Sequence, residues 1–170
     1  MLALTALCDG WVLLLVAVVW AALVERRDGV RRAHLATSLA LVLLADGVAV
    51  QALKHLAHLP RPLAVLGPHA VRVLASPLRQ LSFPSGHSSA AAALATAAAR
   101  ARGLRRAWPL AVLGALGGVS RVYVGAHWAL DVLGGWVLGA MVAAAALALA
   151  ERAGWGGPER AAVAAAEPGS

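Results

Sequence analysis

Residues 120–131 read Ser120-Arg121-Val122-Tyr123-Val124-Gly125-Ala126-His127-Trp128-Ala129-Leu130-Asp131, between two apolar stretches. The upstream stretch runs from about Ala107 to Val124. The downstream one, from about Trp128 to Ala150, contains a single charged residue, Asp131. Each is close to the roughly 20 residues that a bilayer core requires. The segment therefore reads as a short polar reversal between two membrane helices. His127 and Asp131 are four apart where the second helix begins, so they share one helical face. A carboxylate so placed can accept a hydrogen bond from one imidazole nitrogen and leave the other as a nucleophile. The pair can also be read as a satisfied polar contact inside a bundle, but ionisable groups in membrane helices are functional candidates by default.

Working outward, composition sets the class. The chain has 170 residues, 61% hydrophobic and 14% charged, with a mean hydropathy of +0.75. Soluble domains are about 45–50% apolar and about 25% charged. The expectation is an all-α, polytopic transmembrane bundle of about five spans. These run from about Leu2 to Val24, His34 to Ala57, Ser85 to Ala101, Ala107 to Val124 and Trp128 to Ala150. One transmembrane domain covers 1–153, with its motif core at 54–139. The Gly/Ala/Pro-rich tail 154–170 is expected to be disordered and cytoplasmic. Asp9, Asp46 and Gln51 interrupt the first two spans and are expected to face the bundle interior. The Ala-rich third span should pack inside, and Gly114/Gly118 and Gly135/Gly139 mark close helix contacts. The first stretch lacks a basic leader, so no cleavable signal peptide is expected. Cys8 is the single cysteine and excludes an internal disulfide.

The formal charge is +7. Its arginines fall in short loops beside apolar stretches, which sets nucleic acid aside as a partner. Arg26, Arg27, Arg31 and Arg32 lie between the first two spans, and Arg100, Arg102, Arg105 and Arg106 between the third and fourth. The positive-inside rule assigns that face to the cytoplasm. The opposite, outer face then holds the loop from about His58 to Pro84 and the turn near Gly125. Pro60, Pro62, Pro68, Pro77 and Pro84 make the loop irregular.

Two further segments reach that outer face. Lys54 ends the second span and Arg61-Pro62 follows, so both cations can meet one phosphate. Taken alone they read more readily as cations snorkelling to headgroups. Pro84-Ser85-Gly86-His87 opens the third span. Ser85 suits an N-cap, and a helix N-terminus attracts anions. Alone, this segment is also a plain capping turn. Together the segments supply three cations, two histidines and one carboxylate, a set suited to phosphoryl transfer. His55, His58, His127 and Asp131 could in principle ligate a metal. Yet the chain has no Cys pair and no HExxH, and three nearby cations oppose a divalent ion. No metal or other cofactor is expected. His34, His55, His58 and His69 read as interfacial or loop residues.

Lys54-x6-Arg61-Pro62, Pro84-Ser85-Gly86-His87 and Ser120-Arg121-x5-His127-x3-Asp131, in this order, resemble the three signature motifs of the type-2 phosphatidic acid phosphatase (PAP2) superfamily. That group also contains the vanadium haloperoxidases. The resemblance covers about Lys54 to Gly139 and implies a PAP2/haloperoxidase-like core. It implies that His127 is a nucleophile forming a phosphohistidine, that Asp131 orients it, and that His87 is the general acid. Lys54, Arg61, Ser85, Gly86 and Arg121 would bind phosphate oxygens, and no metal would be needed. The implied activity is hydrolysis of a lipid phosphomonoester or pyrophosphate, with undecaprenyl diphosphate, phosphatidic acid and phosphatidylglycerol phosphate as candidates. The implied place is a bacterial inner membrane, with the site on the periplasmic or extracellular face. A phosphotransferase using the same phosphohistidine and a non-catalytic lipid-phosphate binding or transport protein are the alternatives. Membrane members commonly have six spans. Five are read here, with the N-terminus outside, so one span of that pattern has no counterpart.

Overall fold

The structure, a computed structural model, describes Val19, residues 32–69, Val71 and residues 79–153. Beyond Val19, the described residues form five helices: α1 (Arg32–Ala57), α2 (Pro62–Leu66), α3 (Gly86–Arg102), α4 (Leu104–Tyr123) and α5 (Ala129–Arg152). The described residues contain no strand. The second to fifth expected spans match α1, α3, α4 and α5 to within three residues at each end. The first expected span lies outside the described residues, apart from Val19, and so does the tail from 154.

Side-chain size decides which helix sits in the middle. Between Gly86 and Arg102, α3 is built mostly of Ala and Ser. Its Ala91, Ala93, Leu94, Ala97 and Ala98 are buried. It packs most extensively on α5, then on α4 and α1, while α1 also packs on α5 and α4 touches α5 only thinly. The glycine pairs allow this approach. A side chain at Gly135 or Gly139 would meet the carbonyl oxygens of Ser85 and Ser89 on α3. Gly114 faces Ala91 on α3, whereas Gly118 faces Val132 and Trp136 on α5. Both pairs thus mark close contacts, and the α4 pair is divided between two neighbours.

On α1, Leu39, Val42, Asp46, Val50 and Lys54 recur every three or four residues and form one buried stripe. Asp46 faces the interior as expected. Gln51 does not: it is exposed, on the same side as Leu44 and Val48, about one quarter-turn from Val50. Asp9 lies outside the described residues.

The bundle shows apolar side chains outward and polar ones inward. Leu44, Val48, Val119, Val137, Met141 and Leu149 are exposed, while Asp46, Ser88, Ser89 and Ser120 are buried. That pattern suits lipid on the outside. By length and composition, the apolar run beginning at Ser38 in α1, and α5, can each cross a membrane. With 17 residues, α3 is roughly 26 Å long, and the number of spans is not settled by these helices.

Candidate active site

The candidate residues gather where α1 ends and α3 and α5 begin. After α1 the chain turns at His58 (φ 46°) and runs through Leu59 and Pro60 to Arg61. Residues 79–82 return alongside it. Arg61 N–H donates to Arg79 O and Ser82 N–H to Leu59 O, both at 2.9 Å. Side chains complete the tie. Lys54 Nζ donates to Leu81 O at 2.6 Å and Arg61 Nε to Gln80 O at 3.0 Å. Arg61 Nη1 reaches the α4–α5 turn, donating to Ala126 O at 3.2 Å. Trp128 Nε1 donates back to Pro60 O at 3.0 Å. The Pro-rich loop, expected to be irregular, contains the short helix α2, and residues of the first and third motifs anchor it near both ends.

The spacing within residues 120–131 has a backbone reason. The carbonyl of Arg121, at the end of α4, accepts from both Ala126 N–H (3.0 Å) and His127 N–H (3.3 Å). This closes a turn in which Gly125 adopts φ +69°, a conformation that suits glycine. The Val71 side chain occupies the space where a Cβ on Gly125 would stand. Arg121 and His127 thus flank one tight reversal.

Asp131 collects three donors on one oxygen. Its Oδ2 accepts from His127 Nδ1 at 3.3 Å, Trp128 N–H at 2.8 Å, and the Ser82 hydroxyl. The Trp128 contact caps the start of α5, so Asp131 serves the helix as well as the histidine. With Nδ1 donating to Asp131, the lone pair of neutral His127 is on Nε2. His127 and Asp131 are both 3% exposed. Burial pushes the His127 pKa below its ordinary 6.5, and the charges of Arg61 and Lys54 push the same way against the pull of Asp131. His127 is accordingly neutral at neutral pH.

The Pro84-Ser85-Gly86-His87 segment docks on this pair through its backbone, as Ser85 N–H donates to Asp131 O at 2.9 Å. Ser85 occupies the N-cap position of α3, but its side chain makes no capping hydrogen bond. Its hydroxyl oxygen instead accepts from Ser88 Oγ at 3.0 Å. The local cause is close packing: Ser85 and Ser88 are almost wholly buried under α5, where Gly135 lies against both. Gly86 and His87 follow in the first turn, where backbone N–H groups lack intrahelical acceptors.

Lys54, Arg61, Ser85, Gly86, His87, Arg121, His127 and Asp131 therefore share one end of the bundle. Lys54, Arg61 and Arg121 are 8%, 9% and 8% exposed. Among the described residues at this end, the three buried cations stand with one buried carboxylate, Asp131, an arrangement suited to an anion. His55, His58 and His69 are exposed on the loop side. Among the described residues, no three His, Cys, Asp or Glu side chains converge. Sequence reasoning missed Ser82, which is fully buried against Asp131. A serine inside a Pro-rich loop carries no signal of such a role.

Undecaprenyl-diphosphatase BcrC of Bacillus subtilis (strain 168) is 37% identical over 83 residues, 49% of this chain and 41% of that protein. The chain thus spans about two fifths of that relative's length. The crystal structure of Aquifex aeolicus LpxE matches with a TM-score of 0.69 at 29% identity, covering 85% of this chain and 81% of that one. A transmembrane PAP2-type phosphatidylglycerolphosphate phosphatase from Bacillus subtilis matches with a TM-score of 0.67 at 28% identity, over 89% and 75% of the two chains. The family model described as PAP2 superfamily matches residues 35–155, well over half of the chain. This protein is a membrane member of the PAP2 superfamily.

Proposed function

We propose that the protein hydrolyses a phosphate or diphosphate on a membrane lipid through a phosphohistidine, without a metal. The observation that carries this reading is a buried histidine, oriented by Asp131, at the end of the bundle where three cations are also buried. Lys54, Arg61, Arg121, the Ser85 hydroxyl and the N-terminus of α3 at Gly86 hold the phosphoryl oxygens. Nε2 of neutral His127 attacks phosphorus as the bond to the leaving oxygen breaks, and His87 gives that oxygen a proton. Asp131 holds the ring and stabilises the charge that develops on it. Water then attacks the phosphohistidine, giving a proton back to His87 and releasing phosphate. The site faces the periplasmic or extracellular side of a bacterial inner membrane. An undecaprenyl diphosphate-type substrate is favoured by the similarity to the Bacillus subtilis undecaprenyl-diphosphatase. Phosphatidic acid and phosphatidylglycerol phosphate are the next candidates.

The test is phosphate release by purified protein from a panel of lipid phosphates in detergent, with EDTA, beside His127→Ala. The reading expects release by the wild type only, unaffected by EDTA. Release that needs an added lipid or sugar hydroxyl would make the protein a phosphotransferase. Binding of lipid phosphate without turnover would make it a binding protein.

A further inference from the structure

Asp46 is a carboxyl group deep in a membrane bundle that no step above uses. It is 2% exposed and lies two helical turns before Lys54 on the buried stripe of α1. Its Oδ1 accepts a hydrogen bond from Ser89 Oγ, and Ser89 is fully buried. Ser89 stands at a junction of three helices. Its N–H donates to Ser85 O, its carbonyl lies against Gly139 of α5, and its hydroxyl reaches α1. Between Asp46 and Lys54 on the same stripe, Val50 Cγ1 packs against Gly86.

The contact is costly as packing alone. A carboxyl group loses its hydration in the bilayer interior, and an apolar pair of similar volume would fill this interface without that loss. What a single buried polar contact adds between small-residue helices is a fixed register. Such helices offer few knobs to stop one sliding on the other. Sliding or rotating α3 by a fraction of a turn would shift Gly86 and His87 relative to Lys54. The anion turn and its cation lie on different helices, and Asp46–Ser89 joins those helices one turn below it.

We propose that Asp46, acting through Ser89, is a positioning residue that sets α3 in register on α1 and so places Gly86 and His87 opposite Lys54. The proposal rests on the phosphatase reading, and a second readout keeps the two separable. The experiment compares Asp46→Asn, Asp46→Ala, Ser89→Ala and the double Asp46→Ala/Ser89→Ala with wild type. It measures kcat and KM on the best lipid phosphate of the panel, and the thermal shift produced by inorganic phosphate.

The alanine variants should each lose about ten- to a hundredfold in kcat, the scale of small misplacements at a reacting centre. Their KM should stay within about threefold of wild type, since tail binding is untouched. The double variant should be no worse than the poorer single, because both remove one contact. Asp46→Asn keeps an acceptor for Ser89 and should restore most of the kcat. Independent, multiplying losses would overturn the proposal. So would Asp46→Asn as poor as Asp46→Ala, or normal kcat with only lowered thermal stability. If Asp46→Ala does not fold, Ser89→Ala and Asp46→Asn decide alone: the first must lose kcat and the second must keep it. If wild type turns over no lipid phosphate, the phosphatase reading fails. The register proposal then stands only if phosphate stabilises wild type and Asp46→Asn more than it stabilises Ser89→Ala.

Discussion

Each end of the bundle carries arginines, and the two ends treat them oppositely. Where α3 gives way to α4, Arg100 meets Glu151 at 3.1 Å with side chains 49% and 38% exposed, and Arg105 and Arg152 also face outward. At the site end, Lys54, Arg61 and Arg121 are buried, and Lys54 and Arg61 feel the charge of Asp131. Cations of the first kind are screened by solvent and salt. Those of the second kind have lost most of their contact with water. The same residue type is a topology signal in one place and a binding group in the other. Burial separates the two uses.

The sharpest way to break this contrast is to remove one arginine from each end. Arg121→Ala should lower kcat/KM on the lipid phosphate by about a hundred- to a thousandfold, the usual loss for one preorganised group facing transition-state charge. Arg100→Ala should leave kcat/KM within about twofold, as an exposed charge does. Steady-state kinetics on both variants settles it. Equal effects would mean that burial is a poor guide to function here.

A smaller effect tests whether the site end acts as a connected unit. Ser82→Ala removes one of three donors to Asp131 Oδ2. A hydrogen bond to a charged group is worth about 1.5–3 kcal/mol, so kcat should fall by about tenfold or somewhat more. KM should not change, because Ser82 binds the carboxylate and not the substrate. A rise in KM with unchanged kcat would place Ser82 in substrate binding instead.

The acid limb of the pH profile probes the same burial. His127 must be neutral to attack, and burial lowers its pKa below 6.5. A lowered pKa keeps the neutral form at more acid pH. The acid limb of kcat/KM should therefore have its midpoint below 6.5, with activity lost as pH falls through it. Asp131 opposes the shift, so Asp131→Asn should move the midpoint lower still while reducing the rate. A midpoint above 6.5 would mean that the carboxylate outweighs burial.

Much of this arrangement was legible in the sequence, for identifiable reasons. Helix ends were readable because the arginines from Arg100 to Arg106, the turn near Gly125 and the Pro-rich loop break apolar stretches that otherwise continue. Gly135 and Gly139 marked a close helix contact without naming its partner, because only glycine tolerates a carbonyl so near. His127 and Asp131 were visible as a pair because helical spacing is local. Ser82 and Asp131 are 49 residues apart, and no periodicity links them. Ser85 misled for a related reason. Its residue type suits a cap, but Ser88, one turn on, engages its hydroxyl oxygen. Gln51 misled because polarity alone suggested an inward side chain, whereas the phase of Asp46, Val50 and Lys54 turns it outward.

The smallest expected effect belongs to the Arg100–Glu151 pair, and its smallness completes the contrast. The pair joins the far ends of α3 and α5, 51 residues apart, by one hydrogen-bonded ion contact at 3.1 Å. Holding two long exposed side chains in one geometry offsets most of the attraction, and salt screens the rest. Glu151→Gln should cost no more than about 0.5 kcal/mol of stability and should not alter turnover. Thermal unfolding in detergent at low and high salt would show this, with the small difference vanishing at high salt. A loss of turnover in Glu151→Gln would connect the two ends mechanically. The small-residue contacts of α3 with α5 would then transmit motion along the bundle rather than hold it still.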